Sequence, residues 1–217
     1  MKTSISLTSL AFLASSVLAI PTPDTSASGL EKCSATSITP CVCPAGTTYR
    51  ESVTFSVIGA AANDVTNVIS SFFHTDWLGV SPYKTSGTDN VPGAVRTSKL
   101  PTLAGIFDIT EVETVYHEDK KFGGFVEKFE QEQSTVPVKY ANGSGEIAGY
   151  WITLAAQHVF QYETAIEWSV YACETNYPRN FAKFHEEALK NATDILTKSN
   201  KIKGKNVDPF SIQTFLN

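Results

Sequence analysis

The stretch NFAKFHEEALKNATDILTKS, residues 180–199, decides how the rest of the chain is read. Phe181, Phe184, Ala188, Leu189, Ala192, Ile195 and Leu196 recur at i, i+3 and i+4 spacing. At 100° per residue they fill an apolar arc about 140° wide, while Glu186, Glu187, Lys190, Asp194 and Lys198 fall outside it. Such a helix lays its apolar face on something large. What precedes it is a series of strand-like segments, which predicts a curved sheet wrapped around one late helix.

The sheet is read outward from there. Residues 49–58 alternate, with Tyr49, Glu51, Val53, Phe55 and Val57 against Arg50, Ser52, Thr54 and Ser56, a first strand with one apolar face. Asn63 or Asp64 is expected to cap a short helix carrying Val65, Val68, Ile69, Phe72 and Phe73. A second helical turn is expected at residues 74–79. Short strands follow at 83–86, 94–100, 106–116, 121–131 and 135–142, separated by Gly, Pro and Asn/Asp turn signals. Residues 150–156 and 157–173 supply the last strands, with a break between Thr153 and Val159. Residues 176–180, containing Pro178, close the strand region and cap the helix. Beyond Lys201 the chain is polar and reads as a loose tail. The lysine-rich run from Lys198 to Lys205 reads as a solvated helix end.

The 217 residues and a 42 % hydrophobic share suit one globular domain with a real core. A net charge of −5 argues against a nucleic-acid partner, which calls for a basic surface. Residues 1–19 read as a signal peptide: Lys2 precedes an apolar run from Leu7 to Leu18, and Val17-Leu18-Ala19 offers a small-residue cleavage site. That run is too short to span a membrane, and no later segment reaches the roughly 20 apolar residues required. The expectation is a secreted chain beginning near Ile20, with no stable membrane insertion. Residues 20–47 read as a flexible, cysteine-containing arm, 48–200 as the domain and 201–217 as the tail. Two sequons, Asn142-Gly143-Ser144 and Asn191-Ala192-Thr193, accord with secretion; the first sits in a Gly-rich turn, the second on the edge of the helix stripe.

Four cysteines, Cys33, Cys41, Cys43 and Cys173, have no metal-ligand spacing, since Cys41-Val42-Cys43 holds one intervening residue and no histidine accompanies it. In an oxidising compartment they read as disulfides. Three connectivities are open; the favoured reading bonds Cys173 to Cys41 or Cys43 and Cys33 to the other.

The order of elements resembles the Bet v 1-like superfamily, also called START, polyketide cyclase/dehydrase-like or SRPBCC. The resemblance runs from Thr48 to Ser199, about two-thirds of the chain. It rests on the strand-plus-helix opening Val53–Phe73, the strand start Gly93-Ala94-Val95-Arg96, the loop Leu100–Gly105 followed by Glu111, and the late amphipathic helix. The segment Pro92–Asp119 is similar to the plant abscisic-acid receptors, in which a Gly-x-x-Arg strand, a Leu-Pro gate loop and a Glu-containing strand follow one another. Here Lys99-Leu100-Pro101-Thr102-Leu103 replaces their Ser-Gly-Leu-Pro-Ala gate, so hormone reception is not carried over. The resemblance implies an α+β helix-grip fold: a seven-stranded antiparallel curved sheet around the C-terminal helix, two short helices after the first strand, and a cavity between them. It also implies that the first and last strands of the sheet pair, which brings Cys41 and Cys43 near Cys173.

In such a container the inward face decides function. The resemblance points Glu111 inward, and by period two Ile109, Glu113 and Val115 share its face. Carboxylates enclosed together raise each other's pKa and suit acid–base work; at a solvated strand end they do nothing. Arg96 is a candidate anchor or counter-charge, or simply a surface ion-pair partner. His185 falls within the helix's apolar arc, either as a ligand donor or acid–base group or as a satisfied core histidine. Phe107, Trp151, Tyr162, Trp168, Phe181 and Phe184 are candidate lining residues.

No nucleophile elbow, phosphate loop or metal triad is present in the sequence, and no cofactor or metal is expected. Three functions remain open. The preferred one is a secreted, monomeric carrier of a small hydrophobic molecule such as a lipid, sterol-like compound or aromatic metabolite. The second is a cyclase/dehydratase-type lyase working through Glu111, Arg96 and His185. The third is a secreted effector or antigen acting by surface contacts. The fold hosts each of them.

Overall fold

The structure, a computed structural model, describes residues 32–33, 41–102, 105–176 and 180–216. The expected signal peptide and most of the arm lie outside the described residues. The chain opens with β1 (Thr48–Ile58), α1 (Ala62–Ile69) and a single 3-10 turn at Asp76–Leu78. It continues through β2 (Lys84–Ser86), β3 (Val95–Thr102), β4 (Gly105–Glu118), β5 (Gly124–Gln131) and β6 (Val138–Lys139). β7 (Glu146–Phe160) and β8 (Glu163–Glu174) precede α2 (Phe181–Lys198), and β9 (Val207–Leu216) ends the chain.

One sheet takes them all, in the order β2-β3-β4-β5-β7-β8-β1-β9, with β6 paired to β7 and every strand pairing antiparallel. The sheet therefore has nine strands, not seven. β2 and β6 are short flanking additions. β9 is the substantive correction: the segment read as a loose tail pairs along β1 from Tyr49↔Leu216 to Val57↔Val207. Its Phe210 and Ile212 alternate with Ser211 and Gln213, a weak period-two signal that its Ser and Gln content hides. The turn into β9 sits tightly on the end of β1. Gly59 O accepts from the amides of Lys203 and Gly204, and a side chain on Gly59 would collide with the Gly204 backbone. Lys201, in the run read as solvated, pairs with Asp64 of α1 at 2.9 Å.

The apolar face of β1 is not the inner one. Ser52, Thr54 and Ser56 point into the molecule, at 3 %, 0 % and 5 % exposure, whereas Val53, Phe55 and Val57 lie half-buried on the outer side. Small hydroxyl side chains suit this position because α2 and β9 approach β1 closely. Thr54 bonds Ser211 of β9 at 2.9 Å and Ser56 donates to Val207 O. Phe55 is covered instead by Phe210, with ring centroids 5.7 Å apart. Other limits shift as well. The β7–β8 break falls at residues 161–162, after Phe160 rather than before Val159. The N-cap of α1 is Ala61 without a side-chain bond, not Asn63 or Asp64.

α2 lies across the inner face, against β1, β9, α1 and the 3-10 turn. Its predicted stripe is the buried one: Phe181, Ala188, Leu189, Ala192 and Leu196 are buried and Phe184 and Ile195 pack at its margin. A fully buried leucine such as Leu189, at 0 % exposure, contributes about 1.5–3 kcal/mol. Asn180 caps the helix, its side chain accepting from the Lys183 amide at 3.0 Å, a bond worth about 1 kcal/mol.

Two disulfides, Cys33–Cys41 and Cys43–Cys173, use all four cysteines. The second spans 130 residues and staples the approach to β1 onto the end of β8, whose register pairs Tyr49 with Cys173. Among the described residues no helix is long and apolar enough to cross a membrane.

Candidate functional site

Where β3, β4, β5, β7 and β8 curve beneath α2 they leave a cavity of about 60 Å³. Its walls are mostly apolar. Ile109, Phe129, Ile147, Ile152 and Trp168 come from the sheet, Phe181 and Phe184 from α2, and Leu78, Val80 and Leu100 from the rim. Of the residues expected at the site, Arg96, Glu111, Trp168, Phe181, Phe184 and His185 line it. Phe107 is buried but packs on Tyr140 at 5.6 Å, away from the cavity. Glu113 is fully buried yet does not reach it. Trp151 is half-buried between the inward-facing Tyr150 and Ile152 and so faces outward. Tyr162 sits in the β7–β8 turn, 41 % exposed. Val115, expected on the Glu111 face, is turned out to 40 % exposure by a bulge between Glu113 and Val115.

A bonded polar cluster, Arg96, Glu111 and Tyr150, interrupts the apolar wall, and Thr75, Ser98 and His185 add further polar atoms to the lining. Arg96 and Glu111 stand directly opposite each other on β3 and β4. Arg96 Nε donates to Glu111 Oε2 at 2.6 Å, and Tyr150 Oη donates to Oε1 at 2.7 Å. Arg96 Nη1 donates to Phe72 O at 2.9 Å, and the guanidinium lies 4.2 Å from the Phe72 ring centroid and 4.6 Å from that of Phe129. Arg96 is therefore locked between two rings rather than free to grasp a ligand, while Glu111, held from two sides, presents its carboxylate at the wall. Burial works against the charge on Arg96, but Glu111 and Glu127 outweigh it and hold its pKa above the ordinary value. Tyr150 was missed in the sequence because its strand was not resolved into an inner and an outer face there. The Arg96–Glu111 pairing was accessible, since the two lie equally far from the tip of one hairpin.

Across the cavity, His185 is 1 % exposed. It stacks on Trp168 with centroids 3.7 Å apart and planes 9° apart. Its Nδ1 is 3.3 Å from Thr54 Oγ1, a side-chain partner on β1 that fixes the ring.

Behind Arg96 the inner face carries two more carboxyls. Burial pushes Glu127 up to about 8; Arg96 opposes this, and Glu113, Glu111 and Asp89 add to it. Burial, with Asp89, pushes Glu113 up to about 7 against the pull of Arg96. The folded state thus holds protons that the unfolded chain loses near pH 4.5. The stabilisation from these protons is complete below that pH and is lost as pH rises toward 7–8. Glu127→Gln should therefore raise the melting temperature relative to wild type more at pH 8 than at pH 5. A gain equal at both pH values, measured by thermal unfolding, would exclude a buried proton on Glu127.

A model of the START-domain family matches residues 49–216, which takes in β9. Norcoclaurine synthase from Thalictrum flavum, as a point mutant in complex with a transition-state analogue, superposes with a TM-score of 0.50 at 13 % identity, covering 72 % of this chain and 99 % of that one. A protein from Nitrosospira multiformis gives 0.49 at 18 % identity over 69 % and 98 % of the two chains. The XoxI protein of Bacillus cereus gives 0.48 at 15 % over 69 % and 97 %. Identities this low speak for fold alone. No curated protein matches the sequence.

Proposed function

The chain belongs to the START-domain family, and we propose that it is a secreted binding protein holding a small hydrophobic molecule between its sheet and α2. The observation that carries this reading is the cavity itself: mostly apolar walls into which a few polar side chains converge, with Glu111 presented between Arg96 and Tyr150 and with His185 also in the lining. Apolar walls with a few convergent polar groups are the composition of a ligand site. A neutral ligand with one hydroxyl or amine fits it best, since the carboxylate accepts hydrogen bonds and Arg96 already balances its charge.

Secretion rests on the leader-like residues 1–19 and on the two disulfides. Asn142, in an exposed turn, is the better glycan acceptor. The Asn191 side chain is committed to Trp77 O at 2.9 Å.

At about 60 Å³ the cavity is smaller than the roughly 150 Å³ that admits benzene in a dry protein core. Entry therefore requires wall side chains to move, and Leu100 on the β3–β4 hairpin and Leu78 and Val80 near the 3-10 turn are the rim groups placed to do so. Trp168 in the wall provides the readout. A panel of single-ring phenols, fatty acids and sterols should contain a compound that changes tryptophan fluorescence saturably at one site, and Leu100→Trp should abolish the effect. No saturable change across the panel would refute the reading.

The enzyme alternative draws on the Glu111–Tyr150 contact facing His185. Glu111→Gln separates the two: a carrier keeps most of its affinity, whereas a lyase using this carboxylate loses turnover. Failure of the ligand panel would move the assignment to a protein that acts by surface contacts.

A further inference from the structure

The two disulfides are not independent. Cys33 Sγ lies 3.9 Å from Cys43 Sγ, although each is bonded to a different partner. The sulfurs of Cys33, Cys43 and Cys173 all lie within 4.8 Å of one another. A parallel bridge between Lys32 and Val42, with Cys33 N donating to Val42 O at 3.2 Å, holds the two short segments side by side. Access is graded across the four atoms. Cys33 and Cys43 are half-buried, Cys41 is 4 % exposed and Cys173 is fully buried.

We propose that this cluster is a thiol–disulfide exchange site whose co-reactant is a small thiol, and that it converts Cys43–Cys173 into Cys33–Cys43. The external thiolate attacks the accessible Cys33 Sγ, breaking the bond to Cys41, which leaves as a thiolate and takes a proton. A second thiolate attacks the external sulfur of the mixed disulfide, giving the small-molecule disulfide and freeing the Cys33 thiolate. Cys33 then attacks Cys43 Sγ. The Cys33–Cys43 bond forms, the Cys43–Cys173 bond breaks, and its electron pair and a proton remain on Cys173. The balance is two external thiols consumed, one external disulfide formed, and two protein thiols, on Cys41 and Cys173, exposed to chemistry.

The order follows from geometry and access. While tied to Cys41, Cys33 sits beside the Cys43–Cys173 bond rather than in line with it, because the three sulfurs form a compact triangle. Once the Cys41 bond is broken, Cys33 is released from its tether and its sulfur, already 3.9 Å from Cys43 Sγ, is free to turn toward the line of the Cys43–Cys173 bond. A thiolate already held at contact distance outcompetes a dilute external thiol for the same sulfur. The exchange replaces a clasp across 130 residues with one across ten, so it unfastens β8 from the approach to β1 without a net change in the number of bonds beyond the one reduced.

The test is partial reduction of the native protein with limiting glutathione, rapid alkylation, and peptide mapping of the species that retains one disulfide. The expected product carries Cys33–Cys43 with alkyl groups on Cys41 and Cys173. A one-disulfide species with Cys43–Cys173 intact and Cys33 and Cys41 alkylated overturns the proposal, as does one that keeps Cys33–Cys41. Cys41→Ser supplies Cys33 as a free thiol without any reductant. In that variant alkylated Cys173 should increase several-fold as pH rises through the thiol range near 8.5. Cys33 alkylated at every pH with Cys173 still bridged overturns it equally.

Discussion

Replacing Arg96 with alanine should destabilise the fold by about 3–5 kcal/mol, the range for breaking a buried ion pair from one side. Arg96 and Glu111 are 5 % and 9 % exposed. Without the guanidinium, Glu111 retains the Tyr150 hydroxyl but no counter-charge, Phe72 O loses its donor, and Phe72 and Phe129 face a void where the cation lay. For a domain of this size each kcal/mol shifts the melting temperature by about 2–4 °C. The loss should therefore be plain in a thermal or urea melt. The penalty comes from the orphaned carboxylate rather than from the worth of the pair, so Arg96→Met combined with Glu111→Leu should recover most of it. A loss below about 1 kcal/mol for Arg96→Ala would mean that Glu111 is solvated, contrary to the cavity as described.

Serine at both Cys43 and Cys173 should cost about 5 kcal/mol by chain-entropy reasoning, because that bond closes a separation of 130 residues. The same change at Cys33 and Cys41, separated by 8 residues, should cost only about half as much. Denaturant melts of the two double variants under non-oxidising conditions give the comparison directly. Equal losses would show that the long clasp does not constrain the unfolded chain.

The helix α2 was legible because a period of 3.6 over eighteen residues is a strong signal, and burial follows it except that Phe184 and Ile195 lie at the margin and Ala182 is also buried. β1 was legible as a strand but not in orientation. The fold covers its apolar face with Phe210 from late in the chain and turns Thr54 toward His185. Nothing local in residues 49–58 reports a ten-residue partner strand about 150 residues away. β9 itself was hidden by composition, since Ser211, Gln213 and Thr214 look like tail residues until β1 offers them a ladder. At the site, Arg96 and Glu111 were found through resemblance, and hairpin symmetry accounts for their pairing. Glu113 was placed correctly inside but too near the cavity, because a bulge interrupts the period-two rule just beyond it. Tyr150 was lost for a related reason: the register shifts between Ile147 and Tyr150, so alternation counted from either end disagrees in the middle. Trp151 and Tyr162 were chosen on aromatic content alone, which says nothing about facing.

The central claim is that the space beneath α2 holds a hydrophobic molecule. Native mass spectrometry of protein freshly purified from a secreting eukaryotic host, with solvent extraction in parallel, tests it most directly. The account predicts a stoichiometric apolar adduct, or its appearance after exposure to the ligand panel, and its loss in Leu100→Trp. A clean apo mass that takes up nothing from the panel would contradict it and leave the outer surface as the working part of the protein.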